Sequence, residues 1–120
     1  MTVDFAKDRP IYLQLVDRIA GDVIKGKRMP GDKLPSVREY ALETGVNVNT
    51  VQRVYKELEQ MGLTETKRGQ GTFITMDGDI IHRTREQMKE QVALQFISSI
   101  ESYGFTIEEV IDVLKKKGGS

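Results

Sequence analysis

The chain has 120 residues, enough for one domain with an appendage or two very small domains. Its 18 basic and 18 acidic side chains cancel, so net charge carries no argument for a nucleic-acid partner and local fields must decide. Cysteine is absent, which excludes a disulfide framework and thiolate chemistry. No apolar run reaches the length of a membrane span, and the opening Met-Thr-Val-Asp-Phe-Ala-Lys-Asp lacks the basic start and apolar run of a signal peptide. The expectation is a cytoplasmic, reducing-compartment protein with no membrane partner.

Pro10 is placed to be the first residue of a helix, where its missing N–H costs nothing. Tyr12, Leu15, Val16, Ile19 and Val23 recur at helical spacing, and this helix should stop near Gly26. From Lys25 to Arg38 five basic residues (Lys25, Lys27, Arg28, Lys33 and Arg38) face one acid, Asp32. Met29-Pro30-Gly31 is a turn signal. Ser36-Val37-Arg38-Glu39 fits a capping box that opens a helix carrying Val37, Tyr40 and Ala41 and ending before Gly45. Asn47 can cap a third helix with the core stripe Val51, Val54, Tyr55 and Leu58, ending at Gly62. Residues 63–67 and 72–75, joined by Arg68-Gly69-Gln70-Gly71, have hairpin chemistry. Met76-Asp77-Gly78-Asp79 looks like a linker.

The remainder is helical: one helix from about Thr84 to Tyr103, then a second capping box, Thr106-Ile107-Glu108-Glu109, opening a short helix with the stripe Ile107, Val110, Ile111 and Leu114. Lys115, Lys116 and Lys117 suit that helix's C-terminal dipole, and Gly118-Gly119-Ser120 reads as a frayed or engineered tail. The fold class predicted is mainly α. A winged helix-turn-helix of three helices plus a hairpin wing fills residues 1–76, and a short two-helix dimerisation segment fills 77–120.

The outward faces carry the chemistry. With the third helix's stripe turned inward, at about 100° per residue its opposite face holds Asn49, Arg53, Lys56 and Gln60, flanked by Thr50 and Gln52. Asn, Gln and Arg have paired donors and acceptors that match base edges in the major groove. A plain solvated face would favour Glu and Lys, since Asn and Thr are poor helix formers. Ser36 and Arg38 stand at a helix start, where amides and a guanidinium can hold phosphate, although Ser36 also caps and Arg38 could pair with Glu39 or Glu43. Lys67, Arg68 and Gly69 form a basic wing tip able to approach a DNA backbone. Asn47 joins this set at the start of the third helix. His82 is the single histidine; Asp77, Asp79 and Glu86 could join it at a metal, but a surface role fits it better. No catalytic arrangement or cofactor signature stands out, so no enzyme and no cofactor are expected.

The long helix is apolar around much of its circumference through Val92, Ala93, Leu94, Phe96 and Ile97, with Met88, Ile100 and Tyr103. One short neighbouring helix cannot cover that surface, and a two-fold dimer is the commonest solution. The expected interface is Met88, Val92, Phe96, Ile97, Ile100 and Tyr103 with Val110 and Leu114, centred on Phe96 and Ile100.

Pro-Ile-Tyr-Leu-Gln-Leu at 10–15, Pro-Gly-Asp-Lys-Leu-Pro-Ser-Val-Arg at 30–38, Asn-Thr-Val-Gln-Arg at 49–53 and Arg-Gly-Gln-Gly-Thr-Phe at 68–73 together resemble the GntR family of bacterial transcription regulators. The resemblance implies a winged-helix DNA-binding domain whose Arg38, third-helix start and wing tip touch operator DNA. Members often carry a basic residue directly after the position of Asn47; here it is Val48, which leaves the reading to Asn49, Gln52 or Arg53. The short segment after the wing resembles the YtrA-like branch, which implies a helical dimerisation tail and an operon that encodes a transporter. The function expected is a homodimeric repressor on an inverted-repeat operator, the alternative being a winged-helix module for protein–protein assembly. An effector ligand is left open, since no polar cluster marks a pocket for one.

Overall fold

The computed structural model describes residues 9–118. The opening segment read against a signal peptide, Met1 to Asp8, and the last two residues of the tail, Gly119 and Ser120, lie outside them. The elements run α1 (Ile11–Ile24), α2 (Val37–Thr44), α3 (Val48–Gln60), β1 (Thr64–Lys67), β2 (Gly71–Ile74), α4 (Gly78–Ser102) and α5 (Ile107–Gly118). They form two compact units that divide between Thr84 and Arg85, within α4.

In the first unit α1 and α2 pack on α3. Leu15, Val16, Ile19, Ala20 and Val23 of α1 meet Val51, Val54, Tyr55 and Leu58 of α3, with Tyr40, Ala41, Leu34, Leu63 and Ile74 closing the core. Pro10 is not the first helical residue. It takes the cap position with an extended ψ of 139°, and its carbonyl accepts from the Leu13 and Gln14 N–H groups. Its missing N–H falls just outside the helix instead of in the first turn.

The caps form as the sequence predicts. Ser36 Oγ accepts from the Glu39 N–H at 3.1 Å, and Glu39 Oε1 accepts from the Ser36 N–H at 2.8 Å. Asn47 Oδ1 accepts from the Asn49 N–H at 2.7 Å. Between them Gly45 turns the chain at φ 71°, a left-handed conformation that suits a residue without Cβ. The Ser36 N–H, and after it the Ser36 hydroxyl, holds the Glu39 carboxyl below its ordinary value of 4.5. A carboxylate with a depressed pKa stabilises the fold fully above the unfolded-state value and loses that contribution as pH falls through the folded-state value. The capping of α2 is therefore expected to persist down to pH 4.5 and weaken below it. An NMR titration of the Glu39 side-chain carbonyl should give a midpoint below 4.5, and a midpoint at or above 4.5 would mean that the box is open in solution.

The hairpin pairs Thr64 with Ile74 through Lys67 with Gly71 in antiparallel register. A third short segment joins it, which the sequence reading missed. Lys33 bridges Phe73, the Leu34 N–H donates to the Thr72 carbonyl, and the Ile74 N–H donates to the Asp32 carbonyl. The wing is thus tied to the chain that leads into α2.

The long helix begins at Gly78, not near Thr84, so the second half of the expected linker, Gly78 and Asp79, is helical. Asp77 explains this: its Oδ1 accepts from the Asp79 N–H at 2.9 Å and caps the first turn. Ile80 on that turn lies against Gly62, and Thr84 is buried. In the second unit the capping box at α5 is present, with the Thr106 N–H donating to Glu109 Oε1 and the Glu109 N–H to Thr106 Oγ1. Val92, Phe96, Tyr103 and Leu114 are exposed, but Ile100 is only 5% exposed. The chain itself already covers Ile100, which removes it from the centre of any dimer face. No described helix is long and apolar enough to cross a membrane.

Candidate nucleic-acid interface

Helix α3 is anchored on its inner side by Val51, Val54 and Leu58, each fully buried. That anchorage decides which side chains face out. Asn49, Gln52, Arg53, Lys56 and Gln60 line one continuous surface together with Glu57. Thr50 is half-buried at its edge, and Val48 at the helix start is 39% exposed. Asn47 spends its carbonyl oxygen on the cap, which leaves its amide N–H groups free to donate. Tyr55 reaches from the inner face of α3 to donate its hydroxyl to the Pro35 carbonyl at 2.6 Å, and burial raises its pKa. This bond ties α3 to the entry of α2.

A second surface lies alongside. Ser36 at the start of α2 and Lys67, Arg68 and Gly69 of the wing line a common cleft of about 360 Å³. Lys33, Thr66, Gln70 and Thr72 line it as well. Gly69 turns the tip at φ 77°, and the Gln70 N–H closes it on the Lys67 carbonyl. Gly71, at φ 124°, leaves the space that the Lys33 side chain occupies: a Cβ there would stand 2.7 Å from Lys33 Cε. Lys67 sits with its ammonium 4.9 Å from the centroid of the Phe73 ring. The cleft offers cations and amide donors, which suits a phosphate backbone. Glu39 competes there, since its carboxylate already takes the Ser36 N–H.

Of the sequence-predicted residues, Asn49, Gln52, Arg53 and Lys56 share the α3 surface and Ser36, Lys67, Arg68 and Gly69 share the cleft, while Asn47 and Thr50 line neither. Arg38 is exposed on α2 and does not line the cleft. Among the described residues it makes no ion pair with Glu39 or Glu43. The sequence reading missed Lys33 as a cleft residue, although the basic run from Lys25 to Arg38 contained the signal. His82 is exposed, and no group of metal-ligating side chains occurs among the described residues.

Comparison with known proteins identifies the family that shares this fold. The model of bacterial regulatory proteins of the gntR family matches residues 11–74, which run from the start of α1 to the end of the wing. The chain is 42% identical over 115 residues to YhcF, an HTH-type transcriptional regulator of Bacillus subtilis (strain 168), across 96% of this chain and 95% of YhcF. It is 37% identical to the HTH-type transcriptional repressor YtrA of the same organism, across 98% of this chain and 95% of YtrA. A GntR family transcriptional regulator from Listeria monocytogenes superposes with a TM-score of 0.81 at 38% identity, covering 93% of this chain and 98% of that one. The DNA-binding domain of AraR, solved in complex with operator ORX1, superposes at a TM-score of 0.57 and 25% identity over 62% of this chain and 95% of that domain. A winged helix-turn-helix with a polar α3 face, matched by the family model from α1 to the wing and by relatives aligned over 95% of their own length, makes this chain a member of the GntR family of transcription regulators, a family of DNA-binding proteins and not of enzymes.

Proposed function

We propose that the protein is a homodimeric, sequence-specific repressor of the cytoplasm that binds an inverted-repeat operator. Residues 1–76 bind DNA and residues 77–120 hold the dimer, with no effector assigned. The observation that carries this is the α3 face: Asn49, Gln52, Arg53, Lys56 and Gln60 stand together on one surface, beside a basic cleft built from the wing and the α2 start. One surface supplies donors and acceptors for base edges, and the other supplies cations and amides for the backbone. The operator complex of AraR and the repressor YtrA support the reading by likeness. The likeness to YtrA, with the YtrA-like resemblance of the tail, makes a transporter operon the first target to look for.

The test is recovery of bound DNA genome-wide, followed by titration of the enriched duplex. The expected product is a motif with two-fold symmetry. Lys67→Ala and Arg68→Ala should each weaken binding to all duplexes alike and flatten the salt dependence by roughly one unit of slope. If these variants changed only the preferred bases, the wing would not be a backbone contact. Failure to enrich any motif with the wild-type protein would overturn the DNA reading in favour of a protein-docking module.

A further inference from the structure

Arg53 does not stand free on the α3 face. Its guanidinium carbon lies 3.7 Å from the centroid of the Tyr12 ring. Tyr12 belongs by spacing to the apolar stripe of α1, whose Leu15 and Ile19 are fully buried. Tyr12 itself is only half-buried. The stripe therefore surfaces at its N-terminal end, and the ring that emerges there lies under Arg53. None of the functions assigned above uses Tyr12.

A guanidinium flat on an aromatic face is attracted by the ring quadrupole and keeps its N–H donors in the plane, pointing outward. Stacking thus engages the face of Arg53 and leaves its fork of donors available. That fork matches the O6 and N7 acceptors of guanine in the major groove. An unsupported arginine must give up rotamer freedom when it binds, whereas one already stacked has lost much of it beforehand.

We propose that Tyr12 is a positioning residue for base reading: its ring holds the Arg53 guanidinium edge-on to the major groove, where Arg53 reads a guanine. The assignment rests on the DNA-binding reading above. It makes the start of α1 part of the recognition surface, although Tyr12 itself needs no contact with DNA.

The experiment titrates the recovered operator duplex, and a random duplex, with the full chain as wild type, Tyr12→Phe, Tyr12→Leu, Arg53→Ala and the Tyr12→Leu/Arg53→Ala pair. Tyr12→Phe keeps the ring and should bind like wild type. Tyr12→Leu should lose about two- to fivefold on the operator and much less on the random duplex. In the Arg53→Ala background, Tyr12→Leu should have no further effect. In the free protein, the ring-current shift on the Arg53 Nε–H should survive in Tyr12→Phe and vanish in Tyr12→Leu. If Tyr12→Leu costs as much without Arg53 as with it, Tyr12 acts through packing and the positioning role is overturned. If Tyr12→Phe loses as much as Tyr12→Leu, the hydroxyl binds DNA itself, which also overturns it. Operator binding that Tyr12→Leu leaves unchanged defeats the positioning role alone, while a wild type that binds no duplex defeats the DNA reading as well.

Discussion

A Val92→Asp/Phe96→Asp variant should be a folded monomer that binds the operator about 10²- to 10⁴-fold more weakly than the wild type, the gain in effective concentration that a second half-site supplies. Val92 and Phe96 are four residues apart on α4, so they share a face, and they are 65% and 43% exposed in the single chain. Tyr103 and Leu114 of the same unit are also exposed, at 77% and 47%. An apolar face of this kind is stable in water when a second copy covers it. Two aspartates placed there would be buried unpaired if the dimer formed, and the desolvation cost is enough to prevent association. Ile100 is left alone because it is already buried, and a charge there would test folding rather than association. Light scattering after size exclusion, beside a circular dichroism melt, distinguishes the outcomes. A folded variant that stays dimeric would move the interface elsewhere on the tail. A wild type that is monomeric at micromolar concentration would remove the two-fold operator from the reading.

Arg53→Ala should lose roughly 1–3 kcal/mol on the specific operator, which is about five- to 150-fold in affinity, and far less on random DNA. The magnitude is that of one bidentate contact to a base pair. Arg53 is exposed on the same surface as Asn49, Gln52 and Lys56, within the first two turns of α3. Those turns are the part of a recognition helix that goes deepest into the groove. Fluorescence anisotropy against operator and random duplexes at several salt concentrations measures both losses. Equal losses on the two, with a flattened salt slope, would make Arg53 a phosphate contact and pass the reading to Asn49 and Gln52.

The local features were legible because their causes lie within a few residues. Ser36 and Glu39 are three apart, as are Thr106 and Glu109, and each pair closes a capping box wherever the helix sits. Gly45 and the Arg68-Gly69-Gln70-Gly71 turn need only their own backbone angles. The stripe Val51, Val54, Tyr55 and Leu58 fixed the inner side of α3, and with it the outward Asn49, Arg53, Lys56 and Gln60. The start of α4 was missed for a local reason: a polar stretch with a glycine reads as linker until Asp77 is seen to cap it.

The other features depend on partners far along the chain. Lys33 pairs with Phe73, which makes a wing of two strands one of three segments and brings Lys33 into the basic cleft. Tyr12 meets Arg53 across the packing of α1 on α3, so a residue that spacing assigns to the core becomes a support for the reading surface. On α4 the apolar residues circle the helix, so periodicity singled out no inner side, and only the folded chain reveals that Ile100 is covered while Phe96 is not. The sequence by itself determined the order of the elements, the caps of α2, α3 and α5 and the side of α3 turned outward, because these follow from short-range hydrogen bonds and from an unambiguous helical period. The tertiary structure alone decided which distant side chains meet and which apolar residues remain uncovered, because helical spacing records the direction of a side chain and not what lies in front of it.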